Sequence, residues 1–185
     1  MQTRRLRSEP PTGSPFIPST THTTIHKWRD LIASPHDSTA LLEMQSSCFE
    51  FTPVTYLDEL TKNNIQYAVI SNTVADGAVV ERASGVIQLY DHLTSGRGEP
   101  QYWLSEICKQ KSNALSTTRY GTNCVNDLLA NMEMVVMKSG HTRVYLMVQV
   151  DSIVKPGSSN SGRDVANKLI QIYRGKGYEE MIDYS

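Results

Sequence analysis

The sequence lacks the features that mark membrane-spanning and nucleic-acid-binding proteins. No apolar run approaches the ~18 residues that a membrane helix needs. Lysine and arginine total 18 and aspartate and glutamate total 19, so no excess of positive charge indicates nucleic acid as a partner. We therefore expect binding to neither a membrane nor nucleic acid.

The sequence also lacks closely spaced cysteines and the familiar catalytic motifs. Cys48, Cys108 and Cys124 are widely spaced with no CxxC, which predicts reduced thiols and a cytoplasmic location, with the nucleus as the alternative. There is no Ser-His-Asp order, Walker loop or dinucleotide fingerprint. His22 and His26 have HxxxH spacing, but this spacing indicates zinc only on a helix with more ligands nearby, and threonines surround it here. No metal site is expected.

The chain contains one domain of ordinary size after a polar N-terminal segment. Its 185 residues, with a hydrophobic fraction of 39%, can bury a single core. Residues 1–22 are basic and proline-rich at their start, which predicts a flexible tail, and residues 23–185 form the domain. A transit peptide or nuclear signal is the alternative for the tail, although the prolines resist the amphipathic helix of a transit peptide.

Apolar periodicity predicts an α/β layered domain with a mixed sheet. An extended stretch with Ile25 and Trp28 ends at Pro35, and two helices follow. The first is capped by His36-Asp37-Ser38 and reaches Phe49, and the second runs from Thr52-Pro53 to Asn63-Asn64. The remaining predicted elements are strands at 65–71 and 85–90 around an Asp76-Gly77 turn, a strand at 102–110, a helix from Gly121 to Gly140, a strand at 144–150, a helix at 163–174 and a strand at 178–184.

Two stretches and the strand between them give the sequence a family resemblance. The first is Ser116-Thr117-Thr118-Arg119-Tyr120-Gly121-Thr122, a turn that opens a helix, and the second is ANKLIQIYRGKGY at 166–178. The apolar run VYLMVQV at 144–150 lies between them. This order resembles the acyl-CoA-dependent N-acetyltransferases of the GNAT superfamily. The resemblance implies a GNAT-like mixed central sheet flanked by helices.

The C-terminal end departs from the family pattern. The segment after Gly177 has room for a single strand, where the family normally has two, so a shortened C-terminal end is expected. Either a partner chain supplies the missing strand, giving a homodimer through this sheet edge, or 178–184 fills the position itself, or the protein is trimmed.

The turn before Gly121 carries the prediction of an acetyl-CoA site. Free backbone N–H groups and the helix dipole make a helix N-terminus an anion site. The resemblance places the CoA pyrophosphate here, although of the family's Arg/Gln-x-x-Gly-x-Gly/Ala only Gly121 is kept, and an Arg-Tyr-Gly turn also fits plain helix initiation. The residues assigned to acetyl-CoA are Ile107, Cys108, Lys109, Ser116, Thr117, Thr118, Arg119, Tyr120, Gly121, Thr122 and Asn167.

Two catalytic residues follow from the resemblance. Tyr173 matches the tyrosine of the family pattern Asn-x-x-Ala-x-x-Leu-Tyr-x-Lys-x-Gly-Phe, which implies that it protonates the departing thiolate; a core tyrosine is the alternative. Glu106, on the 102–110 strand, matches a general base for a protonated amine, with a surface carboxylate as the alternative. Its flanking residues Leu104 and Cys108 would partly desolvate it and raise its pKa. Cys108 itself is expected to be a buried thiol and not a nucleophile.

The resemblance implies an N-acetyltransferase that binds acetyl-CoA between the strands at 102–110 and 144–150. A primary amine of a protein or a small molecule would attack the thioester directly, with strand N–H groups stabilising the oxyanion. The alternative is a GNAT-fold protein-binding module without catalysis. The incomplete phosphate motif, the missing leading asparagine and the short C-terminus favour this alternative.

Overall fold

The strands of this chain pair into one sheet whose spatial order follows the sequence. A computed structural model describes residues 17–49, 51–90, 100–111, 120–121, 123–146 and 162–180. Within these residues the sheet has the order β1-β2-β3-β4-β5. Neighbouring strands are antiparallel from β1 to β4, and β5 is parallel to β4. The elements are β1 (Thr20–Lys27), α1 (Trp28–Ala33), α2 (Pro35–Ser46), α3 (Pro53–Lys62), β2 (Ile65–Ala75), β3 (Ala78–Tyr90), β4 (Gln101–Lys111), α4 (Cys124–Lys138), β5 (Tyr145–Leu146) and α5 (Gly162–Gly175).

Helices cover both faces of the sheet, which confirms the predicted mixed α/β fold. Successive strand residues point to opposite faces, so Ala68 and Val69 enter different cores. Ala68 and Val86 pack with buried residues of α1, α2 and α3. Val69 and Ile87 pack with buried residues of α4. We call these the α1–α3 face and the α4 face. No helix among the described residues is long and apolar enough to cross a membrane.

Local signals placed some element ends correctly. α3 begins at Pro53 and ends before Asn63, as predicted. The β2–β3 turn at Asp76 and Gly77 has φ values of 51° and 75°, which suit a two-residue hairpin turn. β2 and β3 are longer than the predicted strands, because their pairing continues to Ala75 and Ala78.

Two predictions near the first helices are wrong. Trp28 begins α1 and is buried, where an extended stretch was predicted, and its indole N–H donates to Thr61 Oγ1 at 2.9 Å. The cap of α2 is Ser34, whose Oγ accepts from the Asp37 N–H, and not the His36-Asp37-Ser38 segment. A helix can start at Pro35 because proline needs no N–H partner in the first turn.

The cysteine prediction also needs correction. Cys48 and Cys108 form a disulfide with Cα atoms 5.8 Å apart, so reduced thiols are wrong for this pair. The fold brings the end of α2 against β4. The two cysteines are 60 residues apart in the sequence, so the sequence alone does not indicate this contact. Cys124 is free and buried.

At both ends of the chain, the structure tests the predicted domain boundaries only in part. β1 begins at Thr20, three residues before the expected start of the domain. Residues 178–180 are not in a strand, although one was predicted from 178. Residues 1–16 and 181–185 lie outside the described residues, so the flexible tail, the shortened end and the edge-paired homodimer stay predictions.

β4 contains a bulge opposite Gly85. Ser84 pairs with Cys108 and Val86 with Ser105, so Glu106 and Ile107 together oppose Gly85. Glu106 has a φ of 50°, in the left-handed region that side chains rarely adopt. A Cβ at Gly85 would lie 2.9 Å from Met132 Cε and 3.4 Å from Ile107 Cγ1. Glycine at this position therefore lets α4 approach the sheet.

We expect Gly85→Ala to destabilise the protein by roughly 1–3 kcal/mol, because the added methyl overpacks a buried site. Chemical denaturation would measure the loss. Gly175→Ala is the control, since nothing lies within 4 Å of a Cβ there. In a Met132→Ala background the cost of Gly85→Ala should shrink; an equal cost in both backgrounds would exclude the contact with Met132 as the cause.

Candidate active site

The β4 bulge lies just beyond the described pairing of β4 with β5. Trp103 pairs with Tyr145 and Leu104 with Leu146. Two residues after Leu104, the bulge turns β4 out of regular register. Residues 147–150, which complete the predicted strand, lie outside the described residues.

The Glu106 carboxyl is anchored on the α1–α3 face. Its Oε2 accepts from the Tyr56 hydroxyl at 3.2 Å. The same hydroxyl lies 3.2 Å from Gln45 Oε1, and its single proton can serve one of the two acceptors at a time. The fully buried Gln45 uses its Nε2 to donate to Ser84 Oγ at 2.7 Å and to the Glu106 carbonyl oxygen at 2.9 Å. Gln45 thus holds the backbone of the bulge while Tyr56 holds its carboxyl.

Burial governs the acidity of this pair. Desolvation raises the pKa of Glu106, and the hydrogen bond from Tyr56 opposes that rise. Desolvation and the neighbouring Glu106 raise the pKa of Tyr56, so its phenol stays protonated and keeps donating. Glu106 is desolvated as expected, but Leu104, which was expected beside it, lies in the α4-face core. A carboxyl with a raised pKa suits proton transfer near neutral pH. Its role as a base stays a prediction.

A pocket of about 130 Å³ opens beside Glu106. It lies on the α1–α3 face, between the end of α3 and strands β2, β3 and β4. Its walls combine apolar side chains with amides, a hydroxyl and one carboxyl. The lining residues are Leu60, Asn63, Ile65, Gln88, Trp103, Ser105 and Glu106.

The predicted phosphate turn is only partly described, and the amide of its residue Gly121 has an internal partner. Tyr120 bridges Ile17, and the Gly121 N–H donates to the Ile17 carbonyl oxygen at 2.9 Å. α4 begins at Cys124 and not at Gly121, and its cap Asn123 accepts from the Val125 and Asn126 N–H groups. Ser116, Thr117, Thr118, Arg119 and Thr122 lie outside the described residues. An incoming anion would have to displace the Ile17 carbonyl to use the Gly121 N–H.

A buried carboxylate that the sequence analysis missed lies at the start of α4. Glu81 Oε2 is 3.6 Å from Lys109 Nζ, and the Cys124 thiol donates to the same oxygen at 3.8 Å. Desolvation and the charge of Glu81 raise the pKa of Cys124, which keeps this thiol protonated. Lys109, assigned to acetyl-CoA from sequence, is thus paired with Glu81.

The other predicted site residues lie apart from the Glu106 carboxyl. Tyr173 packs against the α4-face core, where burial raises its pKa, and its ring lies 6.0 Å from that of Tyr178. These contacts are those of a core tyrosine, and its role as an acid stays a prediction. Ile107 packs against the same core. Asn167 is exposed on α5. No group of three His, Cys, Asp or Glu that could hold a metal lies among the described residues.

Gln45 and Tyr56 were also missed, although each carried a weak signal. Gln45 follows Leu41 by four residues and Tyr56 precedes Leu60 by four, so both polar groups share a helix face with a buried leucine. A polar side chain on an apolar stripe must find a buried partner. Sequence alone does not say that the partner is Glu106.

We expect Tyr56→Phe to raise the pKa of Glu106 further, because the variant removes a hydrogen bond that favours the ionised carboxyl. The carboxyl titration of Glu106, followed by carbon-13 NMR, measures this. Tyr102→Phe is the matched control, since the Tyr102 ring contacts His141. A fall in the pKa of Glu106, or no change, would contradict the role given to Tyr56.

Comparison with known proteins gives structural matches. No protein-family model matches the sequence, and the search of curated proteins gives no match. An aminoglycoside 6′-N-acetyltransferase from Acinetobacter haemolyticus is similar, with a TM-score of 0.49 and 13% identity over 88% of this chain and 94% of that one. A predicted acetyltransferase with acetyl-CoA from Clostridium acetobutylicum gives 0.43 and 9% over 90% and 94%. A GCN5-related N-acetyltransferase from Ralstonia eutropha gives 0.46 and 10% over 90% and 97%.

Likeness at such low identity and TM-score carries no conclusion about family or activity. The chain's own topology shows a mixed α/β fold, in which antiparallel strands β1 to β4 are followed by α4, a strand parallel to β4 and α5. The GNAT resemblance found in the sequence stays a prediction.

Proposed function

We propose that this chain is an N-acetyltransferase that moves the acetyl group of acetyl-CoA to a primary amine. The observation that carries the proposal is the placement of Glu106. A desolvated carboxyl, held by Tyr56, projects from a strand bulge beside a pocket and next to the last described pairing of β4 with β5.

The proposed reaction needs one proton acceptor and one donor. The amine arrives as an ammonium ion at neutral pH, and Glu106 takes its proton. The amine nitrogen then attacks the thioester carbonyl carbon, the C–N bond forms and the C–S bond breaks. The sulfur leaves as a thiolate that takes the phenolic proton of Tyr173, whose raised pKa keeps it protonated beforehand. The second proton, which the nitrogen loses as the amide forms, returns through solvent to the Tyr173 phenolate. Backbone N–H groups near the bulge are the proposed oxyanion donors.

The fit to acetyl-CoA differs between its two ends. At the thioester end, the bulge interrupts the regular pairing of β4 beside Glu106, whose own carbonyl oxygen accepts from Gln45. At the phosphate end, the Gly121 N–H is already bonded to Ile17 and Asn123 caps α4. Two described lysines lie near this helix start: Lys109, which pairs with Glu81, and Lys176, whose Nζ donates to Asn126 Oδ1. Phosphate binding would recruit Lys109 and release the Ile17 carbonyl.

A second candidate function is a GNAT-fold binding module without catalysis. The observation that favours it is the start of α4, where the Gly121 amide is taken and the Glu81 carboxylate lies 3.8 Å from the Cys124 sulfur. Because Lys109 already pairs with this carboxylate, the pair adds no net positive charge that would attract a phosphate. Such a protein would bind no CoA and would instead form a stable complex with a protein partner.

We expect the full-length protein to bind acetyl-CoA in a calorimetric titration, and Glu106→Gln to lower turnover by about a hundredfold or more without weakening that binding. Release of the CoA thiol in the presence of small primary amines measures turnover. Glu43→Gln is the control, since Glu43 is exposed on α2. Absence of binding at millimolar acetyl-CoA would overturn the enzyme and favour the binding module. Full activity of Glu106→Gln would remove Glu106 as the base.

Tyr173→Phe should lower turnover at least about tenfold and leave the affinity for acetyl-CoA nearly unchanged, because the variant loses only the proton donor. Tyr178→Phe is the control: it removes the hydrogen bond of 2.5 Å to Glu133 and should reduce stability but not the chemical step. An unaltered rate in Tyr173→Phe would leave Tyr173 as a core residue alone.

A further inference from the structure

The pocket beside Glu106 has a regular construction. Ile65, Gln88 and Trp103 pair in register across β2, β3 and β4 and form its floor. Leu60 and Asn63, at the end of α3, form one wall. Ser105 and Glu106 of β4 complete the lining. The pocket therefore combines an apolar wall with a lining that includes one acidic residue.

The walls suit the methylene groups of a chain. Leu60 and Ile65 are each 5% exposed and present only apolar atoms. The Trp103 indole N–H is already bonded to Gln101 Oε1 at 3.2 Å, and its ring stacks on Tyr145. The ring therefore offers apolar surface without an unmatched donor, which favours an aliphatic ligand along this wall.

The charge of the lining favours a cation. Of the described side chains that line the pocket, Glu106 is the one that ionises, and none is basic. The Asn63 and Gln88 amides and the Ser105 hydroxyl add oxygen acceptors around the carboxyl. An ammonium group that moves from water into the pocket would therefore still have hydrogen-bond acceptors.

The volume limits the size of the ligand. A cavity of about 150 Å³ in another protein holds benzene, which has six carbon atoms. The pocket here measures about 130 Å³. It therefore has room for roughly five nonhydrogen atoms.

We propose that this pocket binds the acyl acceptor as an unbranched primary alkylammonium arm of about five nonhydrogen atoms, with the ammonium at Glu106 and the methylenes against Leu60, Ile65 and Trp103. The arm belongs either to a free small amine or to an extended side chain of a peptide. The inference rests on the proposed function for the reaction, but amine binding itself needs no acetyl-CoA.

The test is a titration of the full-length, nitrogen-15-labelled protein with n-butylammonium, followed by NMR. The chain has two tryptophans, but the Trp28 indole is bonded to Thr61 and packs with the pocket residues Leu60 and Ile65. The backbone amide signal of Gly140, which follows α4 on the other face of the sheet, is therefore the internal control. We expect the Trp103 indole signal to move with saturation and the Gly140 signal to stay. n-Butanol, which lacks the charge, and dicyclohexylammonium, which exceeds the volume, should each bind at least about tenfold more weakly.

Two variants locate the site. Asn63→Phe, at the exposed end of α3, should fill the mouth of the pocket and raise the Kd of n-butylammonium at least about tenfold, whereas the neighbouring Lys62→Phe should leave it unchanged. Glu106→Gln should abolish the preference for n-butylammonium over n-butanol. An unmoved Trp103 signal, equal binding of the alcohol, or full binding in Asn63→Phe would each overturn the proposal.

Two further measurements are needed. One identifies the source of the alkylammonium arm, and the other tests the pocket and the proposed function independently. A blocked lysine amide that binds at least about tenfold more tightly than n-butylammonium supports a peptide side chain, and equal affinities support a free amine. Amine binding without acetyl-CoA binding would overturn the acetyltransferase and keep the pocket. If amines that do not move the Trp103 signal are acetylated by acetyl-CoA, the acetyltransferase is kept and the pocket proposal is overturned.

Discussion

The close approach of α4 to the sheet at Gly85 is the constraint on which the candidate site depends. The side chain of Met132 occupies the space that a Cβ at this position would need. In a regular strand Glu106 would share the face of Leu104, which lies in the α4-face core. Because the bulge adds one residue opposite Gly85, Glu106 reaches Tyr56 on the α1–α3 face, while Ile107 joins the α4-face core. The bulge thus determines the face on which the Glu106 carboxyl lies.

The Glu106 carboxyl stays on its face because a buried amide supports the bulge. Gln45 is fully buried, and both its donors and its acceptor lie near polar partners. Leaving such a group unpaired costs about 1–3 kcal/mol, so the network favours a single arrangement of α2, α3 and β4. The same helices supply Leu60 and Asn63 to the pocket, which couples its shape to the position of the carboxyl.

Elements fixed by local chemistry could be predicted from the sequence, and contacts between distant segments could not. Pro53 and Asn63 mark the ends of α3, and Asp76-Gly77 marks a hairpin, because proline and positive φ values act within a few residues. The bulge leaves little local trace. Tyr56 meets Glu106 across 50 residues, and Gln45 meets it across 61. The hydrogen bond from the Gly121 N–H to the Ile17 carbonyl also joins segments that are far apart in the sequence. Sequence analysis does not show this partner and therefore predicted a free anion site at the start of the helix.

The disulfide between Cys48 and Cys108 has a consequence for the denatured chain. It closes a loop whose ends are 60 residues apart, and this loop contains α3, β2, β3 and the bulge. In the chain-entropy description, a cross-link over a loop of this length lowers the entropy of the unfolded ensemble enough to stabilise the fold by about 4 kcal/mol. A thiol reductant would return that freedom to the denatured chain without altering any side chain that lines the pocket. The thiol–disulfide balance of the surroundings would thereby change the free energy of unfolding of the domain that carries the pocket.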